Sequence, residues 1–223
     1  MRLILLLGMF GLMSPACAQK NREVVIRNNT IFKAAANNDT AGIKAALGDA
    51  ALLEAKDERG RTPLMVTTYH HHTEAARVLI AAGANVNAQD KQLNSPFLYA
   101  GAEGYADILK MCMGAGADYT VFNRYGGSAL IPAAERAHIE VIALLLADKT
   151  FPVNHINRLG WTALLEAVIL GRGGTAHQQV VKMLIAGGAD VNIADKDGVT
   201  SLQHAKNSNY SEIIKMLQEA GAK

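Results

Sequence analysis

Asp57-Glu58-Arg59-Gly60-Arg61-Thr62-Pro63-Leu64 is the stretch on which the reading of this chain turns. It packs a turn and a helix start into eight residues. Gly60 supplies backbone freedom for a tight turn, Thr62 a capping hydroxyl, and Pro63 a ring suited to a first helical position. The chain then runs on to Val78-Leu79-Ile80-Ala81-Ala82-Gly83-Ala84-Asn85-Val86-Asn87, an apolar helix pattern ended by a glycine that can take the left-handed stop.

The same grammar recurs in both directions. Asp57, Asp90, Asn123, Asn157 and Asp195 each open a comparable stretch, at spacings of 33, 33, 34 and 38. Gly126, Gly160 and Gly198 stand where Gly60 stands, and Gly116, Gly188 and Gly221 where Gly83 stands. Between them lie a short apolar helix and a longer amphipathic one, with Val141, Ile142, Leu144 and Leu145 or Val180, Val181, Met183 and Leu184 on the apolar side. A helix pair this short cannot cover its own apolar faces, so neighbouring copies must stack on it.

These motifs resemble the ankyrin-repeat family. Its T-P-L-H-x-A signature is echoed by Thr62 to Thr67, Ser95 to Ala100, Ser128 to Ala133 and Thr162 to Ala167. Its G-A-D-V-N turn is echoed by Gly83 to Asn87 and Gly188 to Asn192. The resemblance implies an all-α solenoid of about six helix-turn-helix repeats with projecting β-turn or hairpin loops. Approximate repeat bounds are 24–56, 57–89, 90–122, 123–156, 157–194 and 195–223. The variant copies, with Asn94 to Leu98, Arg124 to Gly127 and Asn157 to Thr162, resemble compact bacterial members of the family.

Ahead of the repeats, Met1-Arg2, an uncharged apolar run from Leu3 to Met13, and Ala16-Cys17-Ala18 read as a signal peptide over residues 1–18. Residues 19–23 form a short linker. Cleavage after Ala18 leaves Cys112 as the sole cysteine, so no intrachain disulfide is expected, and Cys112 is read as packing. A lipid-anchored Cys17 is the alternative. Combined with a bacterial source, the signal implies a periplasmic protein.

Composition narrows the function. The chain is 50% hydrophobic and 19% charged, with a formal charge of +2 that falls to +1 once Arg2 is lost with the signal. That balance gives no field for nucleic acid, and 5% aromatics is too few for a base-stacking platform. No transmembrane segment is expected in the mature chain, because the leading apolar run falls short of the roughly 20 residues a spanning helix needs. His70-His71-His72 diverge around a helix end, so no metal is expected, nor any cofactor. No nucleophile and base sit in a readable constellation, which leaves a non-catalytic chain.

The residues that break the pattern are the candidates for contact. Glu166 occupies a slot on its inner helix that Val66, Tyr99 and Pro132 fill in other copies, and a carboxylate there is costly to desolvate. Trp161, the single tryptophan, precedes that helix on the turn where the family resemblance implies partner contact. The same geometry directs Tyr69, His70, Glu103 and Tyr125 to one hollow, with Arg124 and Arg158 on neighbouring turns and Glu135 on the adjacent inner helix. Pro132 stiffens the start of its helix. The fourth copy loses the glycine of its second turn at Ala147-Asp148, and the fifth carries extra residues at Arg172 to Ala176, features that can decorate a binding rim. The expectation is a monomer that binds a protein partner through Tyr69, Glu103, Arg124, Tyr125, Glu135, Arg158, Trp161 and Glu166. The alternatives are a small ligand held between the fourth and fifth copies by Glu166 and an arginine, or a secreted host-directed effector.

Overall fold

A computed structural model describes residues 29–223. The expected signal peptide, the linker and the start of the first copy lie outside the described residues. Twelve α-helices follow one another in pairs among the described residues. They are α1 (29–36) with α2 (Thr40–Ala46), α3 (Pro63–Tyr69) with α4 (Thr73–Ala81), and α5 (Pro96–Glu103) with α6 (Ala106–Gly114). Then come α7 (Leu130–Glu135) with α8 (Ile139–Ala147), α9 (Ala163–Ile169) with α10 (Thr175–Ala186), and α11 (Ser201–Asn207) with α12 (Ser211–Glu219). Odd-numbered helices pack on one another in an inner row, α3 through α11, and even-numbered ones in an outer row, α2 through α12. The result is an all-α stack of six pairs, each completing the core of its neighbours.

Small and large side chains divide the work of packing. Ala100, Ala133, Ala167 and Ala205 let inner helices approach closely, while Leu64, Phe97, Leu130, Leu164 and Leu202 fill the space behind them. From the outer row come Leu79, Cys112, Leu145, Leu184 and Leu217, each 0% exposed. Cys112 thus takes a leucine's place, and burial pushes its thiol up to about 12. No helix among the described residues is long and apolar enough to cross a membrane.

The turns show why the second to sixth copies open on Asp or Asn. The Asp57 Oδ1 accepts from the Arg59 and Arg61 amides, each at 2.9 Å, and the Asp57 amide donates to the Arg61 carbonyl at 3.0 Å. Asp90, Asn123, Asn157 and Asp195 repeat this double acceptance on the residues two and four further on. Gly60 holds the left-handed position at φ +76, and in the third copy Leu93 adopts it at φ +59. Backbone bonds join some neighbouring turns: the Lys91 amide donates to the Arg59 carbonyl at 3.0 Å and that of Arg158 to the Tyr125 carbonyl at 2.8 Å. The third and fourth turns are instead joined by side chains, Arg124 to Gln92 Oε1 and Gln89 to the Phe122 carbonyl.

Two irregularities are absorbed differently than the sequence implies. In the fourth copy Asp148 still accepts from the Thr150 amide at 2.9 Å, so the second turn survives without its glycine, and Phe151 plugs the gap, 4% exposed, edge-on to Tyr119. The extra residues at Arg172 to Ala176 lead into α10, which at 12 residues is longer than the nine of α8. Gly173 there lies against the Tyr210 ring of the last copy.

Candidate functional site

The inner row and the turn row meet in a hollow of about 530 Å³ that runs from Tyr69 on α3 to Leu170 beyond α9. Its extent spans the second to the fifth copies, wider than a pocket confined to the fourth and fifth. Seven of the eight residues singled out by sequence line it: Tyr69, Glu103, Arg124, Tyr125, Glu135, Trp161 and Glu166. Arg158 does not; its guanidinium turns along the row of turns and donates to the Arg124 carbonyl at 3.0 Å. His70 also lies outside the lining, stacked on His72.

Glu166 is the most buried of these groups, 8% exposed on α9. Thr162 positions that helix by accepting from the Leu165 amide at 3.2 Å. One Glu166 oxygen accepts from the Asn157 side-chain amide at 3.2 Å. Burial, followed by the negative charge of Glu135 on α7, raises the carboxyl to about 7, with the Asn157 bond opposing the rise. An Asp at 157, as at the openings of three other copies, would set a second acid against Glu166; the amide donates instead. The last copy solves the same juxtaposition with opposite partners, His204 Nε2 lying 2.7 Å from Asp195.

The remaining charges of the hollow are mutually engaged. Arg136 Nη1 lies 2.8 Å from Glu103 and also donates to the Ala102 carbonyl at 2.8 Å. Arg124 Nη1 donates to Gln92 at 3.0 Å, with its guanidinium 4.8 Å from the Tyr125 ring centroid. At the far end, the Tyr69 hydroxyl donates to Asp90 Oδ2 at 2.9 Å and accepts from Asn94 at 3.1 Å. Tyr69 and Tyr99 pack ring on ring, 4.1 Å between centroids, and burial pushes the Tyr99 phenol up to about 12.

Trp161 is half-buried at the root of its turn, its backbone amide held by Asn157 Oδ1 at 3.0 Å. It shares the hollow with exposed apolar side chains. Of the five large apolar side chains exposed among the described residues, Tyr125, Leu159 and Leu170 line this hollow. Leu159 and Leu170 escaped the sequence reading as contact residues, and Asn157 and Tyr99 enter it only as a repeat opening and a helix slot; a leucine on a turn or a helix end carries no signal until neighbouring copies bring it to a common surface. The insertion at Arg172 to Ala176 does not line the hollow.

Ser128, which stands where Thr62 and Thr162 cap their helices, makes no capping bond: α7 starts at Leu130 with Ala129 before it. Pro132 also lacks the amide that Val66, Tyr99 and Glu166 donate to the carbonyl four before them, so the backbone bond that opens the other inner helices is missing and α7 begins one residue later. The histidine run divides among partners, His71 with Asp107 at 3.2 Å and His72 with the Ala36 carbonyl at 3.0 Å. The second of these is a clasp between copies, matched by His177 on the Glu135 carbonyl at 2.8 Å. Among the described residues no group of three or more metal-ligating side chains forms.

Known proteins share this architecture. The family described as ankyrin repeats (3 copies) matches residues 16–123, 97–195 and 130–223. The ankyrin repeat protein YahD of Escherichia coli (strain K12) is 33% identical over 189 residues, which cover 85% of this chain and 94% of YahD. An ankyrin repeat domain from Acinetobacter baumannii AYE, known by crystal structure, is 54% identical with a TM-score of 0.84, over 86% of this chain and 98% of that one. The fold alone is shared with a chain, 24% identical at a TM-score of 0.70, in the complex of the Bdellovibrio bacteriovorus endopeptidase Bd0816 with the immunity protein Bd3460; the match covers 85% of this chain and 97% of that one. By its repeats, their stacking and these relatives, the chain is a non-catalytic member of the ankyrin-repeat family.

Proposed function

We propose that this protein is a monomeric binding module of the bacterial periplasm that docks a protein partner in its concave hollow. The observation that carries the reading is that Tyr125, Leu159 and Leu170, exposed and apolar, line one hollow with half-buried Trp161. Exposed apolar side chains that converge on a concavity with a tryptophan at its root are the usual make-up of an interface anchor. Export rests on the sequence of residues 1–18. The chain of this fold found in an endopeptidase–immunity protein complex makes a protein the first class of partner to test. Its likeness is one of fold, so the hollow itself carries the argument.

The test is photo-crosslinking in the native cell, with a benzophenone amino acid placed at Leu159 or, as the control, at exposed Glu140 on the outer row. A protein crosslinked from Leu159 and not from Glu140, and lost when Trp161→Ala is added, is the expected result. Crosslinks that are the same from both positions, or that ignore Trp161, would place docking elsewhere. Recovery of a chain beginning at Gln19 in the osmotic-shock fraction tests the compartment. A chain that retains Met1 in the cytoplasm would overturn that part.

A further inference from the structure

The hollow holds more acid than it answers. Glu103 has Arg136, and Arg136 also holds the Ala102 carbonyl. Arg124 is committed to Gln92 and to the face of Tyr125. Glu135 and Glu166, on successive inner helices, form no salt bridge among the described residues, although they lie close enough for the charge of one to act on the other. Asn157 takes one Glu166 oxygen, and the other has no hydrogen bond among the described residues. A largely buried carboxyl in that condition keeps its proton or takes a supplied cation in the proton's place. The apolar rim beside it suits the aliphatic stem and neighbours of a basic side chain.

We propose that the anchor received by this hollow is a cationic side chain, a lysine or arginine of the partner, seated between Glu135 and Glu166 with flanking apolar residues on Tyr125, Leu159 and Leu170. This rests on the docking reading above and names the chemistry of the partner. A guanidinium or ammonium group satisfies both carboxylates at once, and its pairing inside a half-closed hollow is stronger than on an open surface. A neutral or acidic segment would bring no positive charge to the pair and would leave Glu166 to its proton.

The single tryptophan is a built-in reporter, since the indole N–H of Trp161 gives one resonance at the hollow. The whole chain, labelled with nitrogen-15, is titrated with three peptides: acetyl-Leu-Ser-Arg-Ser-Leu-amide and its counterparts with citrulline or glutamate at the centre. The arginine peptide is expected to shift the Trp161 indole saturably and to bind on the order of tenfold more tightly than the citrulline peptide, the size of one charge-assisted contact. Glu166→Gln and Glu135→Gln should each shrink that gap. Glu135→Gln alters a half-buried helix-end side chain and leaves the core as it is. Equal affinity for arginine and citrulline, or an unchanged gap in both variants, would overturn the cationic anchor and leave the docking reading standing. If no peptide perturbs the indole, the inference fails, and crosslinking from Leu159 decides the docking reading by itself.

Discussion

Replacing Glu166 by Gln should make the protein more stable above neutral pH and leave it nearly unchanged in acid. Burial and the charge of Glu135 raise the Glu166 carboxyl from 4.5 to about 7, so the folded chain favours the protonated form. The sign follows from that direction. The stability this group contributes is fully present below 4.5, declines as the unfolded chain ionises while the folded chain resists, and is gone once pH passes about 7. At about 1.4 kcal/mol per tenfold of proton activity, the wild type loses about 2.5 kcal/mol between pH ~5 and pH ~8 through this residue. The figure is an upper value, because the hollow opens to solvent. The carboxamide introduced by Glu166→Gln can still accept from Asn157, so the local bond is kept. Urea unfolding followed by Trp161 fluorescence, at a series of pH values, gives the two curves. Their difference cancels every other titration shared by the two proteins. The variant curve should be flatter by roughly 2 kcal/mol over that range, and Glu135→Gln should remove part of the slope. Parallel curves, agreeing to within ~0.5 kcal/mol at every pH, would refute the claim that Glu166 is desolvated and opposed by Glu135.

Three further substitutions probe the frame that holds the hollow, all by urea denaturation. Leu145→Ala, at a 0% exposed outer-row position, should cost about 2–5 kcal/mol; a loss below about 1 kcal/mol would mean that the core collapses around it. Thr162→Ala removes the cap bond to the Leu165 amide and should cost about 1–2 kcal/mol, with Thr162→Ser recovering most of it. At Gly104, φ is +80 and a Cβ would lie 2.6 Å from His138 Nδ1, so Gly104→Ala should lose at least about 1–2 kcal/mol; a neutral result would show that His138 can move aside.

The frame was legible in the sequence because its devices are local. Thr62 and Thr162 cap helices through bonds spanning three residues, and Asp57 or Asn157 folds its turn through bonds spanning two and four. Such bonds leave a fixed spacing, and repetition multiplies the signal. Glu166 and Trp161 were legible as departures from that spacing. What the spacing does not encode is direction. Arg124 and Arg158 occupy matching positions in successive copies and both reach back to the preceding turn, yet of the two Arg124 alone lines the hollow. Ser128 has the composition of a cap, yet α7 begins at Leu130 with no side-chain cap bond. The Asn157–Glu166 pair was present in the sequence as an amide matched to an acid nine residues on, with Asp195 and His204 as its counterpart, and became readable once both pairs were seen in contact.

The row of turns has a mechanical consequence. Backbone rungs tie the second turn to the third and the fourth to the fifth, while the third and fourth meet through the side chains of Arg124 and Gln89. The bank above the hollow is therefore two stiff plates with a compliant seam, and the seam lies midway along the space a partner would fill. A guest that is slightly too wide can spread the plates by stretching flexible side chains, with no ladder bond broken. Amide exchange should record the division, slow at Lys91 and Arg158 and faster at Arg124, whose N–H has no rung among the described residues. On this view the row of turns, as distinct from the packed helices beneath it, is softest at its middle joint, beside the space a partner would fill.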